Sequence, residues 1–461
     1  MSWRALRGHP AAANSADFSR TGSWQTDRHP IRPGGVHVGS LADAVLPLVR
    51  TRTDLHRWSA ANSYGQGVHQ AVALLRAAAH TQPAAEVLPV TQRALATALK
   101  AIARADDSSG IIGDAIKDLL ALHADLTNAA PPPPARLVAW MIDFQFDGVV
   151  DYFTLDPAAY GPALGDRGMA LYKTRLAEIA ASVGPAPTEA EEHALWLQRT
   201  ADPTGWEQQA GLRHARFVLE CNAQRLAVWD RDLDAIITTH ARDRKVAAWL
   251  EDTAEAFAEI GETDLAIDWA RQATFFDRGH QSVHAARLWC RLLAEHRPAE
   301  ELTARLAVFD RWPTATHADG VRAAAGQAWP EHRERVMDAL NQRPAEAVSF
   351  ALHSLDDVEL AWELAHSLGL DEPGLWGTLA DRYEKVDPLA VVPIHTRQVL
   401  DHLEHADAQH YRAAARKLAH LRALTRDTEV ADGVDALVAD LREAHRRRPR
   451  LQQEFTRAGL P

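Results

Sequence analysis

Apolar residues recur every three to four positions along most of this chain, from about residue 41 to the C-terminal end, which is the spacing of amphipathic helices. Leu41, Val45, Leu48 and Val49 open the series. Val68, Val72, Leu74 and Leu75 mark a second helix, and Val90, Leu95, Leu99 and Ile102 a third. Ile112, Ile116, Leu119, Leu120 and Leu126 mark a fourth. Between the third and fourth, Asp106-Asp107-Ser108-Ser109-Gly110 supplies side chains that cap a helix and turn a chain. Pro131 to Pro134 form a stiff break, followed by a short helix from Leu137 to Phe146. The stretch from Asp147 to Gly168 is rich in Gly, Pro and aromatic residues and is expected to be packed loop with short helices. Helices resume from about Ala170, with turns at Gly369, at Asp371-Glu372-Pro373-Gly374 and at Asp387-Pro388. No segment alternates with period two, so essentially no sheet is expected.

Residues 246–279 read VAAWLEDTAEAFAEIGETDLAIDWARQATFFDRG. Small or aromatic residues fall at Ala254, Phe257, Gly261, Ala266, Ala270 and Ala273, and the unit closes at Asp277. That is the order of a tetratricopeptide unit, two antiparallel helices with Gly261 at the turn. One such unit cannot bury its apolar stripe without stacked neighbours. The fold class expected is all-α: an α-solenoid of antiparallel helical hairpins, tetratricopeptide-like and wound as a right-handed superhelix. The organisation expected is a flexible N-terminal arm over 1–36, a helical bundle over 37–130, a Pro- and aromatic-rich segment with helices over 131–200, and the repeat region over 201–461.

Composition narrows the classes. Hydrophobic residues make up 46% of the 461, enough for a substantial core. The net charge of −12 argues against a protein that coats nucleic acid. Cys221 and Cys290 are the two cysteines, too few for a disulfide framework or a cysteine-based zinc site, and they fit a reducing cytosol. The N-terminus lacks the apolar stretch of a signal peptide, and no run of about 18 apolar residues suggests a membrane span. The expected location is cytoplasmic.

Several ordered segments resemble the helical region that follows the zinc finger in bacterial SWIM zinc-finger proteins. They are Asp106 to His123, Asp151 to Tyr172, the unit at 246–279, and a C-terminal series. That series runs LDDVELAWELAHSLGL, LWGTLADRYEKVDPLAVVPIH, HYRAAARKLAHLRAL and LREAHRRRPRLQQEFTRAGL. The resemblance spans residues 55–461 and implies a helical body. The finger's Cys-x-Cys and Cys-x-His pairs are absent, so the binding ascribed to that finger does not carry over.

Candidate chemistry is sparse. Gly65-Gln66-Gly67 lacks the strand and third glycine of a dinucleotide fingerprint and reads as a bend or close helix contact. His280 and His284 share a helix face, and His402, His405 and His410 cluster near Asp401, but neither group brings a completing set of metal ligands. No cofactor and no stoichiometric zinc are expected. Asp230, Asp232 and Asp234 fit helix-terminal acids, and Asp106 and Asp107 fit a cap. Trp140, Phe144, Phe146, Tyr152, Phe153 and Tyr160 could line a groove for a peptide or small molecule, although aromatic clusters more often form core. The C-terminal stretch sets Arg442, Arg446, Arg447, Arg448, Arg450 and Arg457 against Glu443 and Glu454. A basic last helix of this kind could dock an acidic partner or nucleic acid, or could be a solvated face. The leading expectation is a non-catalytic protein-interaction scaffold with a protein partner. An enzyme or small-molecule binder with a pocket near 140–172 comes second, and a nucleic-acid adaptor using the C-terminal arginines third.

Overall fold

A computed structural model describes residues 40–148, 150 and 152–461, so the arm expected over 1–36 lies outside the described residues. The described chain is all-helical, with no strand, and its helices pack against neighbours in sequence order as in a solenoid. It divides into two compact units, one ending at Trp269 and one starting at Ala270.

The first unit opens with α1 (Leu41–Val49), α2 (Trp58–Thr81), α3 (Ala84–Ile102), α4 (Ile111–Ala129) and α5 (Pro134–Phe146). A single turn at Pro157–Tyr160 leads into α6 (Gly161–Val183), then α7 (Glu189–Gln198), α8 (Pro203–Asp230), α9 (Leu233–Ile236) and α10 (Ala247–Glu259). The dividing line falls inside α11 (Thr263–Phe275). Periodicity decides what is buried. On α4, Ile112, Ala115, Ile116, Leu119 and Leu120 face inward against α2 and α3. Gly65 on α2 is where α4 comes closest: a Cβ there would lie 2.6 Å from Ile111 Cγ2, so glycine permits the crossing. Asp107 fixes the start of α4, its carboxylate accepting from the backbone N–H of Ile112 at 3.0 Å and of Gly113 at 2.8 Å. α6 begins earlier than the sequence suggests, at Gly161, because Pro162 suits a first helical turn; the helix breaks at Gly165, where φ is +57°.

The pair α10 and α11 forms the hairpin expected at 246–279. Gly261 takes φ +81°, the N–H of Glu262 reaches the carbonyl of Phe257 at 2.9 Å, and the N–H of Gly261 reaches that of Ala258 at 3.1 Å. Those two bonds and the left-handed residue make a Schellman ending. The rings of Phe257 and Trp269 then meet across the hairpin, 6.4 Å between centroids.

The second unit continues with α12 (His280–His296), α13 (Pro298–Arg311), α14 (Ala315–Ala325), α15 (Trp329–Asn341), α16 (Pro344–Ser349) and α17 (Val358–Ser367). It ends with α18 (Pro373–Tyr383), α19 (Val392–Glu404), α20 (Ala408–Leu424), α21 (Ala431–Ala444) and α22 (Pro449–Arg457). Its core is a succession of local clusters. Phe309, Val336, Leu340 and Phe350 form one; Leu352, Trp362, Leu379 and Val391 the next; Val399, Leu418, Val438 and Phe455 the last. Proline opens many of these helices at a position whose N–H would have no helical partner, as at Pro298, Pro344, Pro373 and Pro449.

Ala266 has no exposed surface at the α10–α11 hairpin. Replacing it with Trp should overpack the crossing and cost about 1–3 kcal/mol. Chemical denaturation followed by circular dichroism should show a lower midpoint; an unchanged midpoint would mean that Ala266 does not sit in a packed interface.

Candidate functional site

The aromatic segment expected to line a groove is largely core. Tyr160 is 2% exposed and Phe153 5%, whereas Tyr152 is 44% exposed and lies against Phe153 at 4.9 Å. The rings of Trp140, His123 and Tyr160 meet at tilted angles, with the His123 centroid 4.4 Å from that of Trp140 and 5.7 Å from that of Tyr160. The reason is that α4, α6 and α8 pack against the turn at Pro157–Tyr160.

Polar groups inside that core are paired in two sets. The Tyr172 hydroxyl accepts from Gln145 Nε2 at 2.7 Å and donates to Asn222 Oδ1 at 2.6 Å. Asn222 Nδ2 closes the ring by donating to Gln145 Oε1 at 3.1 Å. The ring ties α5, α6 and α8 together, and burial drives the Tyr172 phenol well above its ordinary pKa. In the second set Gln92 Nε2 lies 3.3 Å from His123 Nε2, and His123 Nδ1 lies 3.0 Å from the Tyr160 hydroxyl. Nε2 therefore accepts and Nδ1–H donates, the arrangement of a neutral imidazole. Burial pushes the His123 pKa down to about 4.

The C-terminal arginines are dispersed. Arg446, Arg447 and Arg448 sit in the turn between α21 and α22, not on a basic last helix, because Pro449 starts α22 afresh. Arg446 pairs with Glu443. Arg448 donates to the carbonyl of Leu403 at 2.9 Å and covers the Tyr411 ring. Arg442 donates to Gln452 and to the carbonyl of Leu460, and Arg457 pairs with Glu454 at 2.8 Å. Much of the charge is thus spent on holding the chain end, and Arg447 remains exposed.

The other marked residues take structural places. Asp232 caps α9 through the N–H of Ala235 at 3.0 Å, and Asp230 holds Lys173 at 2.7 Å. The His410 ring lies 4.5 Å from that of His405 and 5.7 Å from that of His402, but its Nδ1 is taken by Asp407 at 2.5 Å. Neither these three nor the pair His280 and His284 belongs to a group with metal-ligand geometry among the described residues.

A different constellation emerges where α1 and α3 end. Val49, Arg50, Thr51, Arg52, Thr97, Lys100, Ala101 and Arg104 line an open cleft of about 480 Å³. The sequence hides it, because Arg50 and Lys100 are far apart along the chain and each reads as an ordinary end-of-helix cation. Arg104 donates to the carbonyl of Thr51 at 2.7 Å and joins the two walls. None of the four cations has a carboxylate partner among the described residues. Two helix C-termini contribute about half a negative charge each, which four full positive charges exceed. The lining of the cleft therefore gathers four positive side chains and no carboxylate on a chain of net charge −12.

A family model matches residues 48–451, which is most of the chain and includes every residue lining this cleft and most of both helical units. The chain belongs to DUF6880, a family of unknown function. No curated protein and no solved structure matches it. DUF6880 membership therefore places the chain among relatives without assigning it a reaction.

His123 gives this family member a built-in pH dependence. Its folded-state pKa lies below the unfolded value, so the stability it allows is complete above about pH 6.5 and is lost as pH falls toward 4. The loss amounts to about 3 kcal/mol by the bottom of that window. Denaturation midpoints measured from pH 7 to pH 4 should fall steeply, and His123→Gln should flatten the fall; an equally steep fall in the variant would place the titration elsewhere.

Proposed function

We propose that this chain is a non-catalytic adaptor, a helical-hairpin scaffold that takes an acidic segment of a protein partner into the cleft between the ends of α1 and α3. The observation that carries this reading is the convergence of Arg50, Arg52, Lys100 and Arg104 without carboxylate partners among the described residues. Guanidinium forks suit carboxylates, and the two arginines that follow α1 would offer them to an extended segment. The open shape fits a peptide crossing the surface better than an enclosed small substrate. The hairpin at 247–275, read as tetratricopeptide-like, favours an interaction protein. No described helix is long and apolar enough to cross a membrane, and the proposed setting is the cytoplasm.

The second reading, an enzyme or small-molecule binder at 140–172, has less support, since the aromatic residues there are mostly core. The third, nucleic-acid binding through Arg446, Arg447 and Arg448, is weakened by the pairing of Arg446 and Arg448 within the fold.

The test is fluorescence anisotropy with a labelled Glu-rich peptide, a neutral peptide of equal length and a single-stranded oligonucleotide. The acidic peptide should bind in the micromolar range and weaken as salt shortens the screening length to about 8 Å. Replacing Arg50, Arg52 and Lys100 together with Ala should abolish binding with the circular dichroism spectrum unchanged, because all three are exposed. Absence of binding, or binding indifferent to the triple replacement, overturns the adaptor reading. Tighter binding of the oligonucleotide through the same three residues would replace a protein partner with nucleic acid.

A further inference from the structure

We infer that Glu384, His395 and His420 form a site for a divalent transition-metal ion, with Zn²⁺ as the best fit. The three come from consecutive helices of the second unit. Glu384 caps the C-terminal end of α18, His395 lies in the first turn of α19, and His420 is on α20. One ligand atom from each lies within 4.8 Å of the other two, and no other group of this kind occurs among the described residues.

Distances fit one ion. Glu384 Oε2 is 2.8 Å from His420 Nε2 and 3.5 Å from His395 Nε2. A tetrahedral ion with bonds of about 2.0–2.1 Å separates its ligand atoms by about 3.3 Å, between those two values. Small side-chain movements would bring all three onto one centre.

The state of His395 is the second, independent observation. Its side chain has no exposed surface, yet Nε2 makes no hydrogen bond, since 3.5 Å to Glu384 is too long for one. Buried polar atoms of this kind ordinarily find a partner. The other ring nitrogen is served: Nδ1 lies 3.1 Å from Gln398 Oε1. Nδ1 also has the Lys417 ammonium at 3.3 Å, but the carbonyl oxygen of Gln398 is nearer; with the proton on Nδ1 donated to Gln398, Nε2 presents its lone pair toward the Glu384 carboxylate, the tautomer that metal binding requires. Two electron-rich groups facing each other in a buried place are stabilised by a cation between them. The hydrogen bond from Nδ1 to Gln398 is then the outer contact that fixes a metal-binding imidazole in its tautomer.

Lys417 lies close by, 3.3 Å from His395 Nδ1. It approaches the nitrogen turned away from Glu384, and Asp381 holds it at 2.8 Å. Among the described residues Glu384 is thus paired with no lysine or arginine, only with the two imidazoles. Two imidazoles and one carboxylate suit zinc, and three protein ligands leave a fourth position for water. His420 is 44% exposed on its side chain, so that position opens to solvent. Sequence alone conceals the site, because eleven and then twenty-five positions separate its ligands. It revises the expectation that the chain lacks stoichiometric zinc.

The experiment is titration of chelator-treated, full-length protein with Zn²⁺ by calorimetry. One ion per chain should bind with submicromolar affinity. Glu384→Gln and His420→Ala should each weaken it at least about a hundredfold, and Gln398→Ala about tenfold or more through loss of the outer contact. Both ligand side chains lie at the edge of the core, so each variant should keep the wild-type circular dichroism spectrum. Co²⁺ in place of Zn²⁺ should give the visible absorption of a tetrahedral site. Absence of binding at 100 µM Zn²⁺, affinity retained in both ligand variants, or a loss caused by His410→Ala and not by His420→Ala would overturn the site.

Discussion

The constraint on which the structure rests is that no helix here can cover its own apolar face. Most of the stability of an amphipathic helix such as α4 comes from packing of its apolar face, so its persistence depends on what lies against Ile112, Ile116, Leu119 and Leu120. The chain answers by laying each helix on others close to it in sequence. The first unit gathers α1 to α6 around one core, whereas the second divides its core into successive clusters centred on Phe309, Trp362 and Leu418. Turns and caps serve the same end. Gly261 reverses the chain four residues after Phe257, and Asp107 starts α4 at the point where Gly65 lets it approach α2.

Burial of this extent favours a partner for each enclosed polar group, and two places, one in each unit, differ in how completely they supply one. In the first, Gln145, Tyr172 and Asn222 close a ring of hydrogen bonds, and His123 uses both nitrogens on Gln92 and Tyr160. Such sets specify a packing and leave nothing for a ligand to complete. In the second, His395 Nε2 is buried without a partner beside a carboxylate. That incompleteness separates a candidate binding site from a structural network. The cleft at Arg50, Arg52, Lys100 and Arg104 shows the same property at the surface, where cations gather without counter-charges among the described residues.

Helix period and turn chemistry were legible in the sequence because they depend on residues a few positions apart. The four N-terminal helices, the hairpin turn at Gly261 and the cap at Asp107 all follow from local pattern. The aromatic stretch around Tyr160 was ambiguous for the opposite reason. Whether an aromatic lines a groove or fills a core depends on what packs over it, and α8 approaches from some fifty residues away. Arg446 to Arg448 looked like one basic face until Pro449 placed them in a turn. Neither candidate site was visible in advance, since Arg50 with Lys100, and Glu384 with His395 and His420, meet only after the helices pack.

The claim that neighbours, not intrinsic propensity, hold these helices is tested most directly by a synthetic peptide spanning 111–129, examined in water by far-ultraviolet circular dichroism. Without α2 and α3 to cover its apolar face and without Asp107 to cap it, the peptide should be largely coil. A peptide as helical alone as α4 is within the chain would contradict the account.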